Sequence, residues 1–243
     1  MSSHVPVQRE QVGIARHRDS ATRVTAAGLM IAMPLVERAL TALARQLGEP
    51  TGFAGRVVGR LLNRGNRSIV AAAVAATDCG PAAEVADIGF GGGVGLDILL
   101  DCDGTVVHGV EMSETMLTEA RRRFSDHIAR GRLRLYSGRM ESLPLEDSAL
   151  DAIISTNTIY FVPDLAAALS ELIRVLRPGG RLVLGVGDPD QMSKMPFTRH
   201  GFRLRQIDEL VPIIREAGFG QIEDRRVGDG QGAFHLLVCE LPG

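Results

Sequence analysis

Tryptophan is absent and aromatic side chains make up only 4% of the 243 residues, so the chain has few of the stacking platforms on which nucleic-acid bases are held. Lysine is almost missing as well: Lys194 is the only one, and arginine carries nearly all of the positive charge. With a formal net charge of −2 there is no global pull toward polyanions, and no nucleic-acid partner is expected. The three cysteines, Cys79, Cys102 and Cys239, stand far apart without a Cys-x-x-Cys pair. Neither a disulfide framework nor a zinc knuckle is indicated, and a reducing, cytoplasmic setting fits. Long hydrophobic runs are lacking too. Pro34, Glu37 and Arg38 interrupt the apolar N-terminal stretch well short of the ~20 residues that a membrane span takes. Ahead of it, Arg9, Glu10, Arg16, Arg18 and Asp19 occupy the place where a secretion signal would need an apolar core.

What is present is an ordinary globular balance, 45% apolar and 23% charged, with one unusual concentration of glycine. Glu84 to Gly95 reads Glu-Val-Ala-Asp-Ile-Gly-Phe-Gly-Gly-Gly-Val-Gly. Val85, Ala86 and Ile88 make a short apolar strand, and Leu96, Ile98, Leu99 and Leu100 begin a helical run. Glycine suits the bend between them because it tolerates positive φ and, without Cβ, lets a ligand lie against bare amides at a helix N-terminus. A dinucleotide fingerprint would need a third glycine or alanine at Val94 or Leu96, depending on register, and neither position holds one. What remains is Asp87-x-Gly89-x-Gly91-x-Gly93.

Beyond this loop, apolar segments and turn signals alternate as a doubly wound α/β fold requires. The pattern predicts strands near 84–88, 105–110, 132–137, 150–155, 181–186, 221–227 and 233–240. Helices are expected at about 94–101, 114–129, 164–176 and 206–217. The last two strands are joined only by Gly228 to Gly232, too short for a crossover, so they form an antiparallel hairpin. Before the first strand, residues 1–22 read as an arm. An amphipathic helix follows at 24–47, with short helices at about 55–62 and 68–77; between these two, either Asn66 caps the second or the basic turn Asn63 to Arg67 faces the cofactor or substrate.

The acidic residue with alternating glycines resembles the first motif of class I S-adenosylmethionine-dependent methyltransferases. Arg174 to Leu184, with its Arg-Pro-Gly-Gly turn, is similar to that family's helix-end, turn and fifth strand, and the resemblance covers about 84–185. It implies a Rossmann-like seven-stranded sheet, mostly parallel with the C-terminal hairpin, and N-terminal helices. It also implies S-adenosylmethionine as cofactor, no metal, and domains at 1–80 (arm and helical cover) and 81–243 (methyltransferase core). In the family the acid of the motif sits near the methionine moiety, the place of Asp87, and Gly89, Phe90, Gly91 and Gly93 make the cradle. Glu111 ends the second strand about 20 residues on, where an acid reaches ribose hydroxyls, and Met112 would cover one adenine face.

Where the family has a Gly-Asp-Ala-Glu-like segment this chain has Gly138-Arg139-Met140-Glu141. Arg139 can only donate, which leaves the adenine contact to the backbone and thioether of Met140. Asn157, Thr158 and Tyr160 follow the fourth strand in a run similar to small-molecule methyltransferases, and are expected at the join of cofactor and acceptor. His200 lies in the segment after the fifth strand and is the candidate general base for an oxygen acceptor; Tyr160 is placed with it as a catalytic candidate. The implied reaction methylates a small, partly apolar molecule on oxygen or carbon. A nicotinamide oxidoreductase and a non-catalytic cofactor-binding module stay open as alternatives. The stripe of the 24–47 helix is to be buried over the ligand crevice or in a homodimer.

Overall fold

The computed structural model describes residues 26–52, 66–229 and 232–243. The expected helix near 55–62 and the arm at 1–22 lie outside the described residues. The chain divides into two units, Met1–Val36 and Glu37–Gly243, and the division falls within the first helix, α1 (Ala26–Gly48). A second helix, α2, occupies 66–76.

The remainder alternates strand and helix: β1 (Glu84–Ile88), α3 (Val94–Leu100), β2 (Val106–Glu111), α4 (Glu114–Arg123), α5 (Ser125–Ala129), β3 (Leu133–Ser137), β4 (Leu150–Thr156), α6 (Leu165–Val175) and β5 (Leu176–Gly187). Then come α7 (Pro189–Met192), α8 (Ile207–Ala217), β6 (Gln221–Val227) and β7 (Phe234–Glu240). These form one seven-stranded sheet in the order β3-β2-β1-β4-β5-β7-β6. All neighbours are parallel except β7, which runs against both β5 and β6. No helix among the described residues is long and apolar enough to cross a membrane.

Strand β1 is buried on both faces, as a central parallel strand must be: Val85, Ala86, Asp87 and Ile88 are at most 4% exposed. One face, through Ile88, Leu150 and Ile153, packs on Leu169 and Leu172 of α6 and Ile214 of α8. The other, through Val85, Val107 and Ile154, packs on Ala73 of α2, Leu96 and Leu99 of α3 and Leu117 of α4. Sheet order reverses between β1 and β4, and in open α/β sheets the ligand crevice lies at that point, beyond the carboxyl ends of the strands.

Two details differ from the sequence reading. The helix expected over 114–129 breaks at Phe124, whose φ of −107° and ψ of 23° end α4. The Phe124 ring is buried beneath the glycine loop, where a Cβ on Gly93 would meet it at 3.2 Å. Strand β5 begins at Leu176 rather than near 181, and a register shift against β4 absorbs the Pro178-Gly179-Gly180 turn.

Candidate active site

Strand β1 delivers Asp87 to the foot of the glycine loop. Asp87 is 4% exposed, and no hydrogen-bond donor of the described residues reaches its carboxyl. The little that is exposed includes the carboxyl oxygens, since no fully enclosed side-chain oxygen of the described residues is without a partner. Burial, with the Glu111 charge as the second cause, pushes its pKa up to about 8. A Cβ at position 95 would lie 2.2 Å from Asp87 Oδ2, so only glycine on this first turn of α3 leaves room for the carboxyl. A buried carboxyl without a donor is a costly arrangement. It is explained by a partner carrying positive charge or hydrogen-bond donors.

The loop above Asp87 turns on left-handed glycines, with φ +75° at Gly89 and +50° at Gly91. A Cβ on Gly89 would strike Thr158 Oγ1 at 2.5 Å, whereas a Cβ on Gly91 would meet nothing within 4 Å. Gly89 is thus required by packing, and Gly91 leaves bare backbone facing the cavity. Gly91 N–H donates to Glu111 Oε2 at 2.9 Å, and Ser113 N–H donates to Glu111 Oε1 at 2.9 Å. Burial raises the Glu111 pKa against the opposing pull of the Ser113, Gly91 and Met112 amides. The carboxylate is held in one orientation at the end of β2 while keeping further lone pairs for a ligand.

Around these two acids the cavity is closed on the β3 side by Gly138, Arg139, Met140 and Glu141, and on the β2 side by Met112 and Met116. At the β4 end it meets Thr156, Asn157, Thr158, Phe161 and Val162. Asn157 has φ +59° and donates its N–H to the Gly185 carbonyl at 2.9 Å; a left-handed asparagine at a strand end is a strained conformation of the kind found at functional sites. Leu47, Gly48 and Pro50 line a further side, and Ser113 Oγ donates to the Pro50 carbonyl while capping α4. Asn66 and Val70 of α2 border the cavity near Gly95.

Residues 86–184 match a family model described as a methyltransferase domain. A demethylmenaquinone methyltransferase of Roseiflexus castenholzii is 30% identical over 207 residues, covering 73% of this chain and 83% of that protein. The chain belongs to the class I S-adenosylmethionine-dependent methyltransferase superfamily. A Mycolicibacterium smegmatis relative named for S-adenosylmethionine-dependent methyltransferase activity is 30% identical, covering 63% of this chain and 55% of its own. A solved S-adenosylmethionine-dependent methyltransferase of Thermotoga maritima is 27% identical with a TM-score of 0.57, covering 74% of this chain and 91% of that one. Of the first four curated relatives it matches, the chain spans only 34 to 56% of the length.

The cofactor of this superfamily, S-adenosylmethionine, fits the residues present. An unpartnered buried acid at Asp87 suits its cationic end, and the open space beside Gly91 suits a ligand lying against backbone. Of the residues singled out from sequence, Asp87, Gly89, Phe90, Gly91, Glu111, Met112, Arg139, Met140, Asn157 and Thr158 border this one cavity. Gly93 does not: with φ +75° it closes the loop by donating its N–H to the Phe90 carbonyl at 2.8 Å, over the Phe124 ring.

The two catalytic candidates, Tyr160 and His200, do not line the cavity. Tyr160 is 3% exposed and lies behind the cavity wall, its hydroxyl oxygen accepting the Gly187 N–H of β5. Burial pushes that hydroxyl well above its ordinary pKa, and the residue does not border the cavity; its visible role is as a core hydrogen-bond partner of β5. The His200 ring is taken up by α1, with Nε2 3.2 Å from Glu37 Oε2 and Nδ1 3.1 Å from Thr41 Oγ1. Among the described residues, no histidine borders the cavity.

Sequence reasoning passed over several neighbours. Gly95 and Met116 follow the same motifs and were legible in principle. Phe161 lies one residue beyond Tyr160, and a Cβ on Gly48 would fall 2.7 Å from its ring. Arg174 acts at a distance. Its guanidinium donates to Asp147, Glu171 and the carbonyls of Leu143 and Leu145, and Glu171 accepts the Leu143 N–H. This fixes the segment that follows Arg139–Glu141, through partners no local pattern reveals.

Proposed function

We propose that this protein moves the methyl group of S-adenosylmethionine to a small, partly apolar metabolite, on oxygen or carbon. Alignment of donor and acceptor carries the catalysis, not a general base. The observation behind this reading is Asp87, a buried carboxyl without a donor, set beside the oriented Glu111 carboxylate in a cavity that no described histidine borders.

When bound, the cofactor supplies a methyl group made electrophilic by a positively charged sulfur. Glu111 would accept from the ribose hydroxyls, already fixed for the task by the Gly91 and Ser113 amides. Asp87 would face the cationic methionine end, Gly89 and Gly91 would leave backbone exposed to the ligand, and Met112 with Arg139 and Met140 would flank the base. Asn157 and Thr158, at the end of β4, would border the transferring methyl, with Phe161 and Val162 on the acceptor side. Holding the two reactants in line can supply several kcal/mol of the barrier. The end of α1, through Leu47 and Gly48, would help keep water from the transfer. We place the activity in the cytoplasm from the free cysteines Cys79, Cys102 and Cys239.

The competing nicotinamide reading is opposed by the missing third glycine. Thermal unfolding of the full chain with S-adenosylhomocysteine, NAD or NADP separates the two, because a ligand at 100 times its Kd adds about 2.7 kcal/mol of stability. Stabilisation by S-adenosylhomocysteine alone is the expected result, and stabilisation by NAD or NADP alone would overturn the proposal.

A further inference from the structure

Between Gln191 and Ile207 the chain holds no acidic residue, while Lys194, Arg199, Arg203 and Arg205 are all basic. Elsewhere arginines are neutralised locally: Arg123 lies 2.6 Å from Asp97, Arg174 2.7 Å from Asp147 and Arg225 2.7 Å from Glu223. Within this segment, Lys194 Nζ donates to Gln191 Oε1 at 3.2 Å and Arg205 Nη1 to the Ile159 carbonyl at 3.3 Å. None of the four cations meets a carboxylate at ion-pair distance among the described residues. Burial and the neighbouring Arg203 charge hold the Arg205 guanidinium below its ordinary pKa, with Glu209 only partly opposing. Arg205 thus feels the charge of Arg203, and Glu209 acts on it from beyond ion-pair distance.

Their position gives them a use. Arg203 N–H donates to the Tyr160 carbonyl at 2.9 Å, which fastens the segment to the turn carrying Phe161. The Phe202 ring lies 4.6 Å from Phe161 and 5.7 Å from Phe197. Phe161 itself borders the cavity beside Asn157 and Thr158. Phe202, Arg203 and Arg205 do not themselves line the cavity; the Arg203 backbone and the Arg205 guanidinium are fastened to the Ile159 and Tyr160 carbonyls, which brings both arginines to the turn that carries Phe161. Phe197 and Phe202 are half-buried against each other, so no apolar side chain stands out here for insertion into a bilayer. Arginine forks match carboxylate and phosphate oxygens, and such charge-assisted bonds are the stronger ones.

Resting on the reading of this chain as a small-molecule methyltransferase, we propose that its acceptor is an apolar molecule bearing an oxyanion, a carboxylate or a phosphate. Arg203 and Arg205 hold the oxyanion while the apolar part lies along Phe161 and Phe202. An acceptor seated in this way is oriented from its charged end, which suits a site that works by alignment.

The test uses the full chain saturated with S-adenosylhomocysteine and three probes: 2-naphthoate, 2-naphthyl phosphate and the neutral methyl 2-naphthoate. Calorimetry is expected to show at least one anion binding roughly tenfold or more tightly than the ester. That advantage shrinks as salt rises from about 0.05 to about 0.5 M, and the two anions distinguish carboxylate from phosphate recognition. Arg203→Gln and Arg205→Gln should each remove most of the advantage while leaving the affinities for ester and S-adenosylhomocysteine unchanged. The latter affinity shows that the variants fold. Arg203→Lys should keep part of the advantage. Absence of an anion advantage, including no measurable binding of any probe, overturns the inference; so does an oligodeoxythymidylate that binds as well as the naphthyl anions. Failure of S-adenosylhomocysteine to bind would instead bring down the methyltransferase reading itself.

Discussion

Replacing Asp87 with asparagine should change how stability depends on pH, and the sign follows from the burial of the carboxyl. The folded-state pKa, about 8, lies above the ordinary value of 3.8. The contribution of Asp87 to stability is therefore complete below about pH 4, is lost as pH rises, and is gone above about pH 8. Asparagine keeps the shape and cannot ionise, so Asp87→Asn escapes that loss. The stability of the variant relative to the parent should climb by about 1.4 kcal/mol per pH unit through the middle of the window. It should level off near pH 8 at a difference on the order of 5 kcal/mol. Urea unfolding of both proteins in steps from about pH 5 to about pH 9, followed by circular dichroism, measures this difference directly. Titrating groups remote from Asp87 cancel in the subtraction, and Glu111, which feels the Asp87 charge, adds a smaller change of its own. Parallel stability curves would refute the reasoning, because they would mean that Asp87 is solvated or partnered in the folded protein.

Gly91→Val fills the open side of the cradle and forces a β-branched residue to φ +50°, costing about 1–2 kcal/mol of stability. Calorimetry should show S-adenosylhomocysteine binding weakened at least a hundredfold, and parental affinity would place the cradle elsewhere. Tyr160→Phe leaves the buried Gly187 N–H without its acceptor and should lower unfolding stability by about 1–3 kcal/mol. The variant should keep the parental pH profile of methyl transfer; a lost titration would return Tyr160 to the chemistry. Gly48→Ala drives a methyl group to 2.7 Å from the Phe161 ring. It should raise the KM for the acceptor more than the Kd for S-adenosylhomocysteine, and equal effects would mean that Phe161 does not serve the acceptor.

The strand-loop-helix element and Glu111 were legible because their chemistry is local: a backbone that must stay bare needs glycine, and an acid must end the next strand. The hairpin was legible for a similar reason, since Gly228 to Gly232 leaves no length for a crossover. What escaped was long-range packing. Gly93 serves the Phe124 ring across the loop, and that ring also ends α4 early. The glycine at position 95 makes room for Asp87, a contact between a helix and a strand that no spacing rule encodes. Tyr160 and His200 were singled out by residue type. The Gly187 amide and the Glu37–Thr41 face of α1 decide their roles, and both partners are remote in sequence.

The central claim, methyl transfer to a small molecule, is met most directly by incubating the full chain with methyl-labelled S-adenosylmethionine and the small-molecule fraction of a cell extract. The account predicts label in a small apolar product, formed with an equal amount of S-adenosylhomocysteine and absent with Gly91→Val. Cofactor bound by the parent chain without transfer of label to any small molecule, or label carried only by protein or nucleic acid when those fractions are supplied, would contradict it.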